Sequence, residues 1–204
     1  MNSEAIATVY LIDGDQAISK ALKRLLSTFG HQVKAHASAE AFLRDHDPKV
    51  PGCAVVEIGL PGMDGLAMQE RMVAASIERP IIFLTGQGDI PTSVRAMKAG
   101  AVDFLTKPLN ARCLLAAIST ALERDARTRR LADERQKVEQ RMASLTARER
   151  EVLTCVVAGR LNKQIAAELG TVEKTVKVHR GRMMEKMGVR TVADLVRLSA
   201  AAPP

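Results

Sequence analysis

The chain has 204 residues, with 30 Lys and Arg against 23 Asp and Glu and a formal net charge of +7. Three scattered cysteines without C-x-x-C spacing argue against a disulfide framework or a zinc site and fit a reduced, cytoplasmic setting. No run approaches the roughly eighteen apolar residues of a membrane span, and four Phe, one Tyr and no Trp leave few platforms for stacking single-stranded nucleic acid.

Charge divides the chain. Residues 1–121 hold 12 basic and 12 acidic side chains, and residues 122–204 hold 18 and 11. A neutral half joined to a basic one suggests a sensor attached to a polyanion binder, with duplex DNA as the polyanion.

Short β-type runs alternate with helical spacing in the first half. Residues 8–12, 32–36, 53–58, 81–85 and 102–106 read as five strands. Ile18, Leu22, Leu25 and Leu26, then Ala41 and Phe42, then Leu66, Met68 and Met72, then Val94 and Met97 mark the helices between, with Gly30 and Gly100 as stops. Five such units give an α/β fold, a doubly wound, flavodoxin-like parallel sheet whose site lies at the carboxyl ends of the strands. The polar residues there are Asp13, Asp15, Glu57, Thr85 and Lys107. Singly, each has an ordinary use: Asp13 as a turn cap, Thr85 as a β-former. Together they suit phosphoryl chemistry, because carboxylates hold Mg²⁺ while a hydroxyl and an ammonium hold phosphoryl oxygens.

With Leu11-Ile12-Asp13, Pro61-Gly62-Met63-Asp64-Gly65, Thr85 to Pro91 and Met97 to Pro108, the stretch from about residue 6 to 121 resembles the receiver domains of two-component response regulators, in the NarL/FixJ branch. The resemblance implies that Thr85 is a switch hydroxyl, that Phe104 is a rotating aromatic reporting the state of the site, and that a cis Lys107-Pro108 bond aims the lysine. It also exposes two departures. The second of the family's paired acids is Gly14, and the phosphoryl-accepting aspartate is Glu57. Fewer carboxylates weaken Mg²⁺ binding, leaving Asp13, Asp15 and Glu57 as weak candidate ligands and no metal or cofactor expected. A carboxyl displaced by one methylene spoils in-line transfer. Glu57 is then a partial, fixed substitute for the phosphorylated acceptor facing Lys107 and Thr85, or the acid of a decayed site, or an acceptor still phosphorylated. The sequence favours the first.

Residues 122–143 read as a charged helical linker, continuing a helix that starts near Ala111 with Leu114, Leu115, Ile118 and Leu122 inward. Glu123 with Arg127, Asp125 with Arg129 and Asp133 with Lys137 are spaced as pairs on a solvated helix. Residues 144–204 read as an all-α unit of four helices. Thr146 to Glu149 is a capping box, and the helix it opens turns Val152, Leu153, Val156 and Val157 inward. Asn162 caps the second helix, Val172 to Met187 forms the third, and Thr191 opens the fourth. At 100° per residue Val176, Met183 and Met187 share an inward stripe, with Lys174, Lys177, Val178, Gly181 and Arg182 opposite. A basic outer face on the helix after such a turn suits the major groove.

Leu145 to Leu153, Asn162 to Ala166 and Lys174 to Arg180 are similar to the LuxR-type DNA-binding domain. That resemblance implies that Lys177 and Val178 face base edges, that Lys174, Thr175, His179 and Arg180 meet phosphates or support the helix, and that the fourth helix dimerises. Arg182 joins this set by its angle. Val172 replaces the usual capping serine, so that Thr171 must cap or the end frays by about 1 kcal/mol. Gly181, where the family often has a base-contacting polar residue, costs about 1 kcal/mol relative to Ala.

The expected protein is a homodimeric transcriptional regulator, not an enzyme, that binds a promoter with paired half-sites. Its receiver controls dimerisation or domain docking, with a sensor kinase or RNA polymerase as further partners. The alternative is a protein-interaction module that pairs with a phosphorylatable regulator or a polymerase subunit.

Overall fold

The computed structural model describes residues 6–86 and 90–200. Residues Gln87, Gly88 and Asp89 of the Thr85 to Pro91 motif lie outside the described residues. Two compact units divide after Thr128.

In the first unit, β1 (Thr8–Ile12), β2 (Gln32–His36), β3 (Gly52–Glu57), β4 (Ile81–Thr85) and β5 (Asp103–Thr106) form one parallel sheet in the order β2-β1-β3-β4-β5. β1, β3 and β4 are nearly continuous apolar runs because both their faces are covered. Alternate residues serve the two faces. Tyr10, Ile12, Ala54, Val56 and Phe83 pack with Phe42 of α2 (Ala39–Asp45), Leu66, Met68 and Met72 of α3 (Gly65–Ala74) and Ala96 of α4 (Ile90–Lys98). Val9, Leu11, Cys53, Val55, Ile82 and Leu84 pack with Leu22 and Leu26 of α1 (Gln16–Thr28) and with Leu114, Ala117, Ile118 and Ala121 of α5 (Ala111–Ala143). The strands fall where the hydrophobic runs put them. β3 starts one residue earlier than its apolar run, at Gly52, and β5 one residue later, at Asp103.

Helix α5 corrects the sequence reading. Asp125 is not on a solvated face: it is 2% exposed, and its Oδ2 accepts the Gly52 N–H at 2.9 Å. Gly52 can lie so close because it lacks a side chain. Its φ is +153°, and a Cβ there would stand 1.9 Å from the Thr8 carbonyl oxygen.

In the second unit, α6 (Ala147–Val157), α7 (Asn162–Glu168), α8 (Glu173–Met187) and α9 (Val192–Ala200) enclose Leu145, Val152, Leu153, Cys155, Val156, Ile165, Val176, Met183, Met187 and Leu195. The capping box at Thr146 forms in both directions, with Glu149 N–H donating to Thr146 Oγ1 and Thr146 N–H to Glu149 Oε2. α8 ends at Gly188, whose φ of +66° is the left-handed cap.

Two local expectations fail. Val157 is exposed, and Cys155 takes the inward position. Asn162 does not cap α7: the cap position is Leu161, whose N–H donates to Gln164 Oε1 at 2.8 Å, and Asn162 is released to accept from Arg180. Of the two outcomes left open at the start of α8, the structure has the uncapped one: Val172 occupies the cap position without a side-chain bond. All three cysteines are free. Cys53 and Cys155 are buried, and burial pushes the Cys53 thiol up to about 12.

Candidate functional site

The carboxyl ends of β1, β3, β4 and β5 gather Asp13, Glu57, Thr85 and Lys107, four of the five expected residues. Asp13, one residue beyond β1, is 5% exposed; its N–H donates to His36 O, and its Oδ1 accepts the Asp15 N–H at 2.8 Å. Its Oδ2 accepts from Lys107 Nζ at 3.0 Å. Glu57, the last residue of β3, turns inward and pairs its Oε2 with the same Lys107 ammonium, while its Oε1 accepts the Gly59 N–H at 3.2 Å. The Gly59 amide was not among the expected groups. A backbone donor leaves no mark in residue type.

Lys107 is placed by backbone pairing: its N–H donates to Thr85 O at 2.7 Å, and its bond to Pro108 is cis, as the resemblance implies. Burial opposes its charge, but the hydrogen bonds to Glu57 and Asp13 outweigh that and hold the ammonium above its usual pKa. Thr85 is buried at the end of β4. Phe104, opposite Phe83 in the β4–β5 register, is half-buried against the α2–α4 face.

Asp15 stands apart from this cluster. It is exposed, and its Oδ1 accepts the N–H groups of Ala17 and Ile18 at the start of α1. Among the described residues no three acids, histidines or cysteines come together as a metal-binding group. The donor set fits Mg²⁺ poorly on its own chemistry. Both inward carboxylates are engaged by one ammonium, Asp15 is turned to a helix end, and Gly14 supplies no side-chain oxygen.

In the second unit α8 presents the expected outer arc. Lys174, Lys177, Val178, Gly181 and Arg182 are exposed, and Val176, Met183 and Met187 are fully buried behind them. Lys177 Nζ lies 3.2 Å from Glu173 Oε1, an exposed pair one turn apart that a phosphate or base edge could readily displace. Thr175 and His179 are half-buried at the flank. Arg180 supports the helix: Nη1 donates to Asn162 Oδ1 at 2.8 Å, bracing α8 against α7.

A second brace lies at the far end of α8. Lys186 Nζ donates to Glu149 Oε2 at 2.6 Å and to Ser144 O at 3.1 Å. The Lys186 ammonium and the Thr146 N–H hold the Glu149 carboxyl at about 2. Arg141 Nη1 meets Met187 O at 3.1 Å. The second helix of the helix-turn-helix is thus braced at its middle and at its C-terminal end while its outer arc stays bare.

Comparison with known proteins agrees with both halves. Residues 9–119 match the response regulator receiver domain family, and residues 143–199 match the bacterial regulatory proteins of the luxR family. Nodulation protein W of Bradyrhizobium diazoefficiens is 42% identical over 193 residues, covering 95% of this chain and 85% of that protein. Transcriptional regulatory protein FixJ of Azorhizobium caulinodans is 41% identical over 194 residues, covering 95% and 92%. The solved structure of the response regulator StyR has a TM-score of 0.90 at 43% identity, covering 96% of this chain and 99% of that one. With a receiver sheet in the first unit, a helix-turn-helix in the second and these relatives along nearly its whole length, the chain belongs to the NarL/FixJ-type response regulators and is a DNA-binding regulator of transcription.

Proposed function

We propose that this receiver works without phosphorylation, with Glu57 standing permanently where an aspartate would accept a phosphoryl group. The observation that supports this reading is the occupied ammonium: Lys107 already binds Glu57 and Asp13. A carboxylate offers one charge and two oxygens where a phosphoryl group offers nearly two charges and three oxygens, so the mimicry is partial. The output is binding of duplex DNA at paired half-sites by a homodimer. Lys177 and Val178 read base edges, while Lys174, Thr175, His179 and Arg182 meet phosphates. Ile90, Val94 and Met97, exposed along one side of α4, give an apolar strip on which two receivers can pair. A sensor kinase and RNA polymerase remain partners in this reading, and the site of action is the cytoplasm.

Acetyl phosphate with Mg²⁺, followed by intact-mass measurement and DNA titration, tests the regulatory part. We expect no adduct and unchanged affinity. An adduct on the wild type that vanishes in Glu57→Gln would overturn the reading. For the interface, Lys177→Ala should relax sequence preference by about 1–3 kcal/mol.

A further inference from the structure

Gly181 sits in the interior of α8, where glycine weakens a helix relative to alanine. Nothing among the described residues requires it. A Cβ built there meets no atom within 4 Å, and its φ does not lie in the left-handed region that only glycine favours. The bare backbone leaves room for something outside the chain to approach it closely.

The surroundings identify the visitor. Gly181 lies at about 140° around α8 from the buried Val176, between Lys177 at 100° and Val178 at 200°, in the middle of the arc that faces away from the core. Val178 is 46% exposed, the one large apolar side chain on that arc, and it precedes Gly181 by three residues, so the two adjoin across one turn. They form a shallow apolar notch rimmed by the cations Lys174, Lys177 and Arg182. The Arg180–Asn162 and Lys186–Glu149 bonds keep α8 from rolling this notch out of position.

We propose that the Val178–Gly181 notch is a specificity determinant that seats the 5-methyl group of a thymine in the major groove, with Gly181 as the point of closest approach between helix and DNA. In that groove thymine alone among the four bases presents a methyl group, and the cationic rim supplies the phosphate and base-edge bonds that hold a duplex against an apolar spot. The inference rests on the outer arc of α8 entering the groove, as proposed above. It adds which base the bare position reads.

The test uses the full-length protein and a duplex selected by it from a random pool. Each thymine of a half-site is replaced in turn by uracil, which removes only the methyl. At one position the loss should be about fourfold, the value of one buried methyl converted to a binding ratio. Val178→Ala should bind the thymine and uracil duplexes alike. Gly181→Ala should melt at a higher temperature yet bind less tightly, and Gly181→Leu, whose side chain enters open space in the free protein, should keep its circular dichroism and lose more than Gly181→Ala. Equal affinity for thymine and uracil at every position, with Lys177→Ala still relaxing sequence preference, overturns the methyl notch alone. If Lys177→Ala also leaves preference unchanged, the groove reading itself falls.

Discussion

In the proposed reading, one methylene at Glu57 and one missing carboxylate at Gly14 act together. The backbone sets the cost of restoring the second acid: a Cβ on Gly14 would stand 3.2 Å from Pro61 Cδ, tight but against an exposed loop that can shift by a few tenths of an ångström. Glu57→Asp alone should therefore gain little phosphorylation, since it restores an acceptor without the second metal-binding acid. Glu57→Asp with Gly14→Asp should gain a phosphoryl adduct from acetyl phosphate and Mg²⁺, read by intact mass. A strong adduct in the single variant would place the defect in the acceptor only. Glu149 makes a separate prediction. Its folded pKa of about 2 lies below the ordinary 4.5, so its stabilisation is complete above pH 4.5 and is lost as pH falls through about 2. Glu149→Gln should flatten this part of the acid dependence in thermal melts of the second unit followed by circular dichroism. An unchanged pH profile would mean that the Lys186 bond contributes nothing.

Helix α5 shows where pattern reading succeeds and where it slips. Leu114, Ile118 and Ala121 recur at helical spacing, and all three are buried, as periodicity requires. The same stripe runs on to Asp125. Its charge suggested solvent, yet its angle, only about 20° from Leu114 around the axis, placed it on the inward face. Position outweighed residue type because the backbone of Gly52 offers a donor that no sequence pattern announces. Asp125→Ala should destabilise the first unit by about 1–3 kcal/mol in urea unfolding, because it leaves the Gly52 N–H buried without its partner, whereas Asp125→Asn should retain most of that stability. Equal losses in the two variants would point to packing rather than this bond. In the second unit, Gly188, the capping box and the methionine stripe were legible because each is a local rule. The Arg180–Asn162 and Lys186–Glu149 braces were not, since they join residues brought together only by the tertiary fold.

Across the whole molecule, the division of charge is the feature that composition made plainest, and it has a measurable consequence. The excess of 18 basic over 11 acidic residues in 122–204 predicts steep loss of DNA affinity with added salt. Lys174→Ala should weaken binding about equally for all sequences and lower the log–log salt slope by about 1, whereas Lys177→Ala should change which sequences are preferred. A change in preference for Lys174→Ala would move it from phosphate to base. The strand ends that identify the receiver also carry its two departures, Gly14 and Glu57. The residue types were readable, but the closing of Glu57 and Asp13 on one amine required the fold. That closure bears on how a cell could use the protein. If the receiver works without phosphorylation, as proposed, an amine engaged by two carboxylates from the moment of folding keeps no record of a past stimulus and needs no phosphatase to reset it. Promoter occupancy should then follow copy number, and control should shift to synthesis, degradation and whichever chain shares the dimer.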